Sequence, residues 1–166
     1  DQVGGGAVTA LSNGNFVVVS LSCDNGAITN AGAVTWGDGT TGTAGAVSST
    51  NSLVGSTASD AVGTTITALN NGNYVVKSSN WDNGALNGAG AVSWGNGSVG
   101  VTGVISSCNS VRGAVTNAGV SFTLTYNSIY AYEIVGSPVE NIVTIFNPTG
   151  QSLGTHLDAV TQTLSG

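Results

Sequence analysis

The chain has 166 residues, 40% of them apolar and only 6% charged, and its formal net charge of -6 comes from eight acids opposed by Lys77 and Arg112 alone. This apolar content is enough for a buried core and excludes a chain kept disordered by charge repulsion. Two cations make no basic patch, which excludes nucleic acid and anionic membrane surfaces as partners, and no apolar run nears the roughly 18–20 residues of a membrane helix.

Apolar residues alternate or fall in short β-branched runs broken by glycine-bearing turns, so the sequence predicts an all-β fold. Strands are expected near Ala7 to Leu11, Phe16 to Leu21, Ala31 to Trp36 and Ala44 to Ser48, with Asn51-Ser52-Leu53-Val54-Gly55 closing the unit. The joining turns are Asn13-Gly14, Asp24-Asn25-Gly26 and Asp38-Gly39, and Asn-Gly or Asp-Gly supplies the positive φ that tight hairpins need. A second unit repeats the plan near Ile66 to Leu69, Tyr74 to Ser78, Ala89 to Trp94 and Val101 to Ser106, and closes at Asn109-Ser110-Val111-Arg112-Gly113.

The repetition is in the residues themselves: Thr9-Ala10-Leu11-Ser12-Asn13-Gly14-Asn15-Phe16-Val17-Val18 returns 58 positions later as Thr67-Ala68-Leu69-Asn70-Asn71-Gly72-Asn73-Tyr74-Val75-Val76. Likewise Ala31-Gly32-Ala33-Val34-Thr35-Trp36-Gly37 returns as Ala89-Gly90-Ala91-Val92-Ser93-Trp94-Gly95. A fixed period of this size marks units that bury their apolar faces only against a neighbour, and four short strands per unit is the content of a propeller blade. After Gly113 the pattern lapses into runs of β-formers, Val120 to Tyr126 and Asn141 to Phe146, with a turn at Asn147-Pro148-Thr149-Gly150.

The chain therefore divides into a first repeat (1–55), a second (56–113) and a divergent β segment (114–166) that caps the array or exchanges a strand. Ser152-Leu153-Gly154 and Asp158-Ala159-Val160 echo the junction Ser52-Leu53-Val54-Gly55 and Asp60-Ala61-Val62, while Asp1-Gln2-Val3-Gly4 opens as if cut there. Residues 151–166 pair within the chain or with a neighbouring copy, unless the echo is coincidence. The absence of Met and the start at Asp1 raise the expectation of a secreted, processed product, with truncation as the rival.

Asp60-Ala61-Val62-Gly63, Asn71-Gly72-Asn73-Tyr74-Val75-Val76, Asn80-Trp81-Asp82-Asn83-Gly84 and Gly90-Ala91-Val92-Ser93-Trp94-Gly95 resemble the tandem repeats of very large secreted bacterial proteins of the filamentous-haemagglutinin type. The resemblance covers residues 1–113. These repeats are in turn similar to the blades of integrin-α-like propellers. The resemblance implies a secreted, cell-surface or matrix role and brings no catalytic residues. Two blades and a cap do not close a propeller, so the units need strands from elsewhere or pack as an open array or sandwich.

Cys23 takes the place of Trp81 and Cys108 that of Thr50, so neither belongs to the repeat pattern. A disulfide between them would close a loop of about 85 residues and contribute about 2–4 kcal/mol; two buried thiols or an intermolecular bond are the alternatives. Asp24, Asp38 and Asp82 lie in glycine-containing turns whose oxygens suit calcium, although turn formation alone explains them. Trp36 and Trp94 end equivalent strands and are expected to cover the inter-unit core. Trp81, flanked by Asn80 and Asp82, is the aromatic candidate for stacking on a sugar, against packing at the unit edge. His156 is the only imidazole, Glu133 and Glu140 are not held at a defined separation, and Lys77 reads as a solvated lysine. No catalytic set and no cofactor is expected.

The composition leaves little like-charge repulsion between copies and so permits self-association. The expected role is an extracellular structural or adhesive protein, a subunit or segment of a surface fibre or matrix whose partners are copies of itself. The alternative is a monomeric recognition module for carbohydrate or a host protein.

Overall fold

The computed structural model describes residues 2–146, and in it the chain forms three β-sheets. In the first, β1 (Ala7–Ala10), β2 (Phe16–Ser20), β3 (Ala33–Gly37) and β4 (Ser52–Val54) form an antiparallel meander. The Asn13-Gly14 turn closes β1 on β2, with Gly14 at φ 91° and the Leu11 N–H donating to Asn15 O at 2.8 Å. The second unit repeats the meander as β5 (Thr65–Ala68), β6 (Tyr74–Ser78) and β7 (Ala91–Gly95), then adds β8 (Gly103–Val104) and β9 (Ser110–Arg112).

The fourth strands differ from expectation. Ala44 to Ser48 is not a strand; Ser52–Val54, expected to close the unit, pairs with β3 instead. In the second unit β9 takes the same place beside β7, while only Gly103–Val104 of the expected 101–106 strand forms. That short strand leaves its own unit and pairs in parallel with β4, Leu53 opposite Gly103 and Val54 opposite Val104. The sequence units and the sheets therefore do not coincide: the second repeat supplies the fifth strand of the first repeat's sheet.

The C-terminal segment opens with a short helix, α1 (Ala118–Ser121), where a strand was expected from Val120, and continues as β10 (Thr123–Asn127), β11 (Tyr132–Ser137), a 3-10 turn (Pro138–Glu140) and β12 (Ile142–Phe146). Its sequence diverges, yet its first strand keeps time. Strands begin at Ala7, Thr65 and Thr123, so the 58-residue period runs on to the first strand of the third sheet. The expected turn at 147–150 and the strand-exchange segment at 151–166 lie outside the described residues.

Alternation along the strands stacks the three sheets. Val17, Val19, Val34 and Leu53 of the first sheet meet Tyr74, Val76 and Ala91 of the second in one core that also takes in Val62, Trp81 and Ile105. Val75 and Val92 point from the other face of the second sheet into a second core with Ala118, Phe122 and Val135, flanked by Trp94, Leu124 and Tyr126. The central sheet is thus buried on both sides. The sheets stack as blades do but close no ring among the described residues.

The third sheet contains one slip of register. Leu124 pairs with Val135 and packs toward the second sheet as Ile66 does toward the first, but six residues separate Tyr126 from Glu133 where five separate Ala68 from Tyr74. Glu133 consequently takes the position held by Phe16 and Tyr74, whose rings lie over Gly37 and Gly95 of the paired strand and would meet a Cβ at either. Glu133 is buried, its Oε2 finds no donor among the described residues, and burial pushes its carboxyl from 4.5 up to about 7. A raised carboxyl pKa means that the fold favours the proton-bound form, so stability is fullest below the unfolded value and falls as pH rises through about 7. Between pH 5 and 8.5 the native chain is expected to lose about 2–3 kcal/mol from this group, and Glu133→Gln to remove most of that dependence, read as Tm against pH.

Candidate functional site

The residues that recur between repeats meet where one sheet touches the next. Three N–H donors of the first repeat converge on one acceptor of the second: Asn13 Nδ2 at 2.8 Å, Asn15 Nδ2 at 2.8 Å and Trp36 Nε1 at 2.9 Å all reach the Gly97 carbonyl. Gly97 is in turn fixed in its own unit, because its N–H donates to Asn73 Oδ1 at 2.9 Å, as Gly39 N–H donates to Asn15 Oδ1 at 2.9 Å. A side chain at Gly97 would strike the Gly72 carbonyl, so only glycine allows the approach. Trp36 therefore packs between the units, half-buried against the first core.

Trp94, its counterpart, packs against the second core, but its indole Nε1 finds no acceptor among the described residues. The companion asparagine has found a substitute, Asn71 Nδ2 donating to the Tyr126 hydroxyl at 2.7 Å. Lys77, which read as a solvated lysine, also serves this interface: it is half-buried and its Nζ donates to Phe122 O at 2.8 Å.

A second contact joins backbone to backbone. Ser59, Ala61 and Val62 donate N–H groups to the carbonyls of Thr29, Asn30 and Ala31 at 3.0, 3.2 and 3.1 Å. At the next junction Asn117 and Gly119 donate to Asn87 and Gly88 at 2.9 and 3.1 Å. The loops being gripped are shaped by the aspartates: Asp24 Oδ1 accepts the Asn30 N–H and Asp82 Oδ1 the Gly88 N–H, both at 2.7 Å. Asn25 and Asn83 reach across to the carbonyls of Gly55 and Gly113 at 3.0 and 2.8 Å. Buried Asp60 completes the arrangement by accepting the N–H groups of Ser56, Thr57 and Asp82 at 2.7, 2.8 and 3.0 Å.

The calcium candidates are thus turn-formers. Asp38 is held well below the usual carboxylate range, at about 2, by the hydroxyl of Thr40 and the backbone N–H groups of Thr40 and Thr41. The structure does not bring Asp24, Asp38 and Asp82 together, and among the described residues no three His, Cys, Asp or Glu side chains group. The sugar-stacking candidate is corrected: Trp81 is 3% exposed, lies in the first core, and has the Arg112 guanidinium over its ring at 6.0 Å. Asn80 is exposed and Asp82 is occupied by its loop, so no aromatic platform joins them. The disulfide is corrected too. Cys23 is buried and Cys108 exposed, both as free thiols, and burial together with Asp24 pushes the Cys23 thiol up. Glu140 accepts the Ala114 N–H and the Ser137 hydroxyl, each at 2.5 Å, and serves the 3-10 turn. Cavities of about 200 Å³ beside Thr123 and Gly136 and about 160 Å³ between Val111 and Val135 are smaller than the roughly 300–1,000 Å³ of small-molecule sites.

Sequence reasoning missed Asn13, Asn15, Gly97 and Asp60 as interface residues. The available signal was redundancy: a tight turn needs Asn13-Gly14, but the second asparagine in Asn13-Gly14-Asn15 and Asn71-Gly72-Asn73 is more than a turn requires.

An architecture of repeated, mutually dependent sheets defines a repeat protein, and the comparison with known families agrees. Residues 10–64 and 68–121 each match the family described as a repeat of unknown function (DUF5650), and the chain belongs to that family. No curated protein and no solved structure matches it.

Two measurements check this site. Trp36→Phe and Trp94→Phe each trade an indole for a smaller ring, but only the first removes a donor from Gly97, so it is expected to cost about 1 kcal/mol more in urea unfolding than the second, whose N–H finds no acceptor among the described residues. A thiol reagent is expected to label one cysteine, Cys108, in the native chain and both after denaturation.

Proposed function

We propose that the chain is an extracellular structural or adhesive repeat protein, a subunit or segment of a cell-surface fibre or matrix that assembles through strand pairing. The observation that carries this reading is the parallel addition of β8 to β4, by which one repeat finishes the sheet of the repeat before it. Chemistry of this kind is indifferent to side-chain identity at the paired edge and extends from unit to unit. The resemblance to filamentous-haemagglutinin-type repeats supports a surface location, and the very low charge content supports close packing of copies.

The alternative of a carbohydrate-recognition module has lost its aromatic residue, since Trp81 is buried. The test is antibody labelling of intact against permeabilised cells that make the chain, joined to sedimentation of native material. Label on intact cells and particles larger than the 16.2 kDa chain are the expected results. Label that requires permeabilisation would overturn the extracellular role.

A further inference from the structure

The internal interface between the first and second sheets has three parts contributed by the second repeat: a junction arm, a sheet face and an overhanging strand. The arm is Ala61-Val62, gripped by the loop carbonyls. The face is the row Ile66–Val76, which packs into the first core. The strand is β8, which pairs with β4.

The first repeat carries the same three parts on its outer side, facing away from the second. Its arm is equivalent, because Gly4 N–H donates to Ser20 Oγ at 3.0 Å as Gly63 N–H does to Ser78 Oγ at 3.1 Å, yet Val3 is 68% exposed. The row Val8–Val18 stands where Ile66–Val76 stands, and Val8 is 67% exposed.

Residues 45–47 already have the shape of the overhanging strand. Gly45 has φ 105° where Gly103 has 98°. Asn51 Nδ2 donates to Ala46 O at 2.9 Å where Asn109 Nδ2 donates to Val104 O at 3.0 Å. Asn51 Oδ1 accepts the Ser48 N–H at 2.9 Å where Asn109 Oδ1 accepts that of Ser106 at 2.8 Å. Gly45 and Ala46 are nevertheless exposed and pair with no strand among the described residues. Even the core is begun: Cys23, Ala33 and Val47 cluster at the positions that Trp81, Ala91 and Ile105 hold in the first core.

We propose that this N-terminal end of the stack is a docking site for the C-terminal sheet of a second copy of the chain, which gives head-to-tail oligomers. The inference rests on the structural reading above and locates its contact. Continuity with the internal interface identifies the occupant: such an end fits the outward face of a stacked sheet with an open edge. This chain presents one at its other end. There the row Thr125–Ile134–Ile145 faces away from the second core, and β12 has no further partner strand among the described residues. Contacts of this heterologous kind leave each added copy with a free end, so they propagate until the rotation between copies closes a ring.

The experiment is sedimentation velocity and negative-stain imaging of the full chain up to sub-millimolar concentration, with Val8→Asp and Ile134→Asp as variants. Each variant damages one end only. The native chain is expected to form oligomers that grow with concentration, each variant alone to stay monomeric, and the two mixed to form a one-to-one dimer through their intact ends. The mixed dimer also proves both variants folded. Native oligomers that persist unchanged in Val8→Asp would overturn the proposal while leaving self-assembly standing. A native chain that stays monomeric, with the amides of Gly45 and Val47, counterparts of the Gly103 and Ile105 amides that donate to the first repeat, protected from hydrogen exchange, would assign that end to another part of the same chain and overturn it as well.

Discussion

The stack depends on a backbone clasp. Where the chain passes from one repeat to the next, its N–H groups dock on the carbonyls of the loop before the third strand, and Gly32 and Gly90 lie so close to the incoming chain that a Cβ at either would meet backbone. These bonds use only main-chain atoms, so they set the spacing of the sheets without asking anything of side chains other than glycine at the point of closest approach. The clasp is repeated at the third unit, although little else of the repeat sequence survives there.

With spacing fixed in this way, the faces between sheets tolerate substitution. Phe16 and Tyr74 are exchanged without loss of the ring over glycine, and Thr35 with Ser52 makes the same buried hydroxyl pair, at 2.8 Å, that Ser93 makes with Ser110 at 2.6 Å. The asparagine amides and the Trp36 indole of the interface go to groups of the neighbouring unit rather than to a cleft. Asparagine is the main instrument, since one amide both accepts from a turn N–H and donates to a neighbouring carbonyl, as Asn15 does between Gly39 and Gly97. A protein nearly without charge thus acquires specific contacts between its units, and the chemistry that remains on its surface is that of sheet faces and edges.

Much of this was legible in the residues. Asn13-Gly14 and Asn71-Gly72 announce hairpins through their backbone preference, and the unbroken apolar run Phe16-Val17-Val18-Val19 announces a strand covered on both faces. The fourth strand was misread because Ala44 to Ser48 has strand-like composition. A partner strand decides the matter: β4 of the other repeat supplies one to Gly103–Val104, and Ala44 to Ser48 has none among the described residues. Leu53 lies beside turn-forming residues that mask a three-residue strand. Trp81 was ambiguous because its neighbours Asn80 and Asp82 are polar, whereas its burial follows from where Arg112 and the stacked sheet lie in space. The disulfide failed for a related reason: two cysteines outside a pattern carry no information about the distance between them, and one of these is in a core while the other is on an exposed turn. The third sheet was hidden by its sequence and is visible in its spacing, which Thr65 and Thr123 preserve without their neighbours.

The added residue between Tyr126 and Glu133 shows how much one position in a hairpin decides. Because a strand presents odd positions to one side and even positions to the other, lengthening a hairpin by a single residue trades the two sides of the following strand wholesale, with every residue in that strand unchanged. Loop length behaves as a parity bit. Here the exchange sets a carboxyl group where an aromatic ring stood in the two units before it.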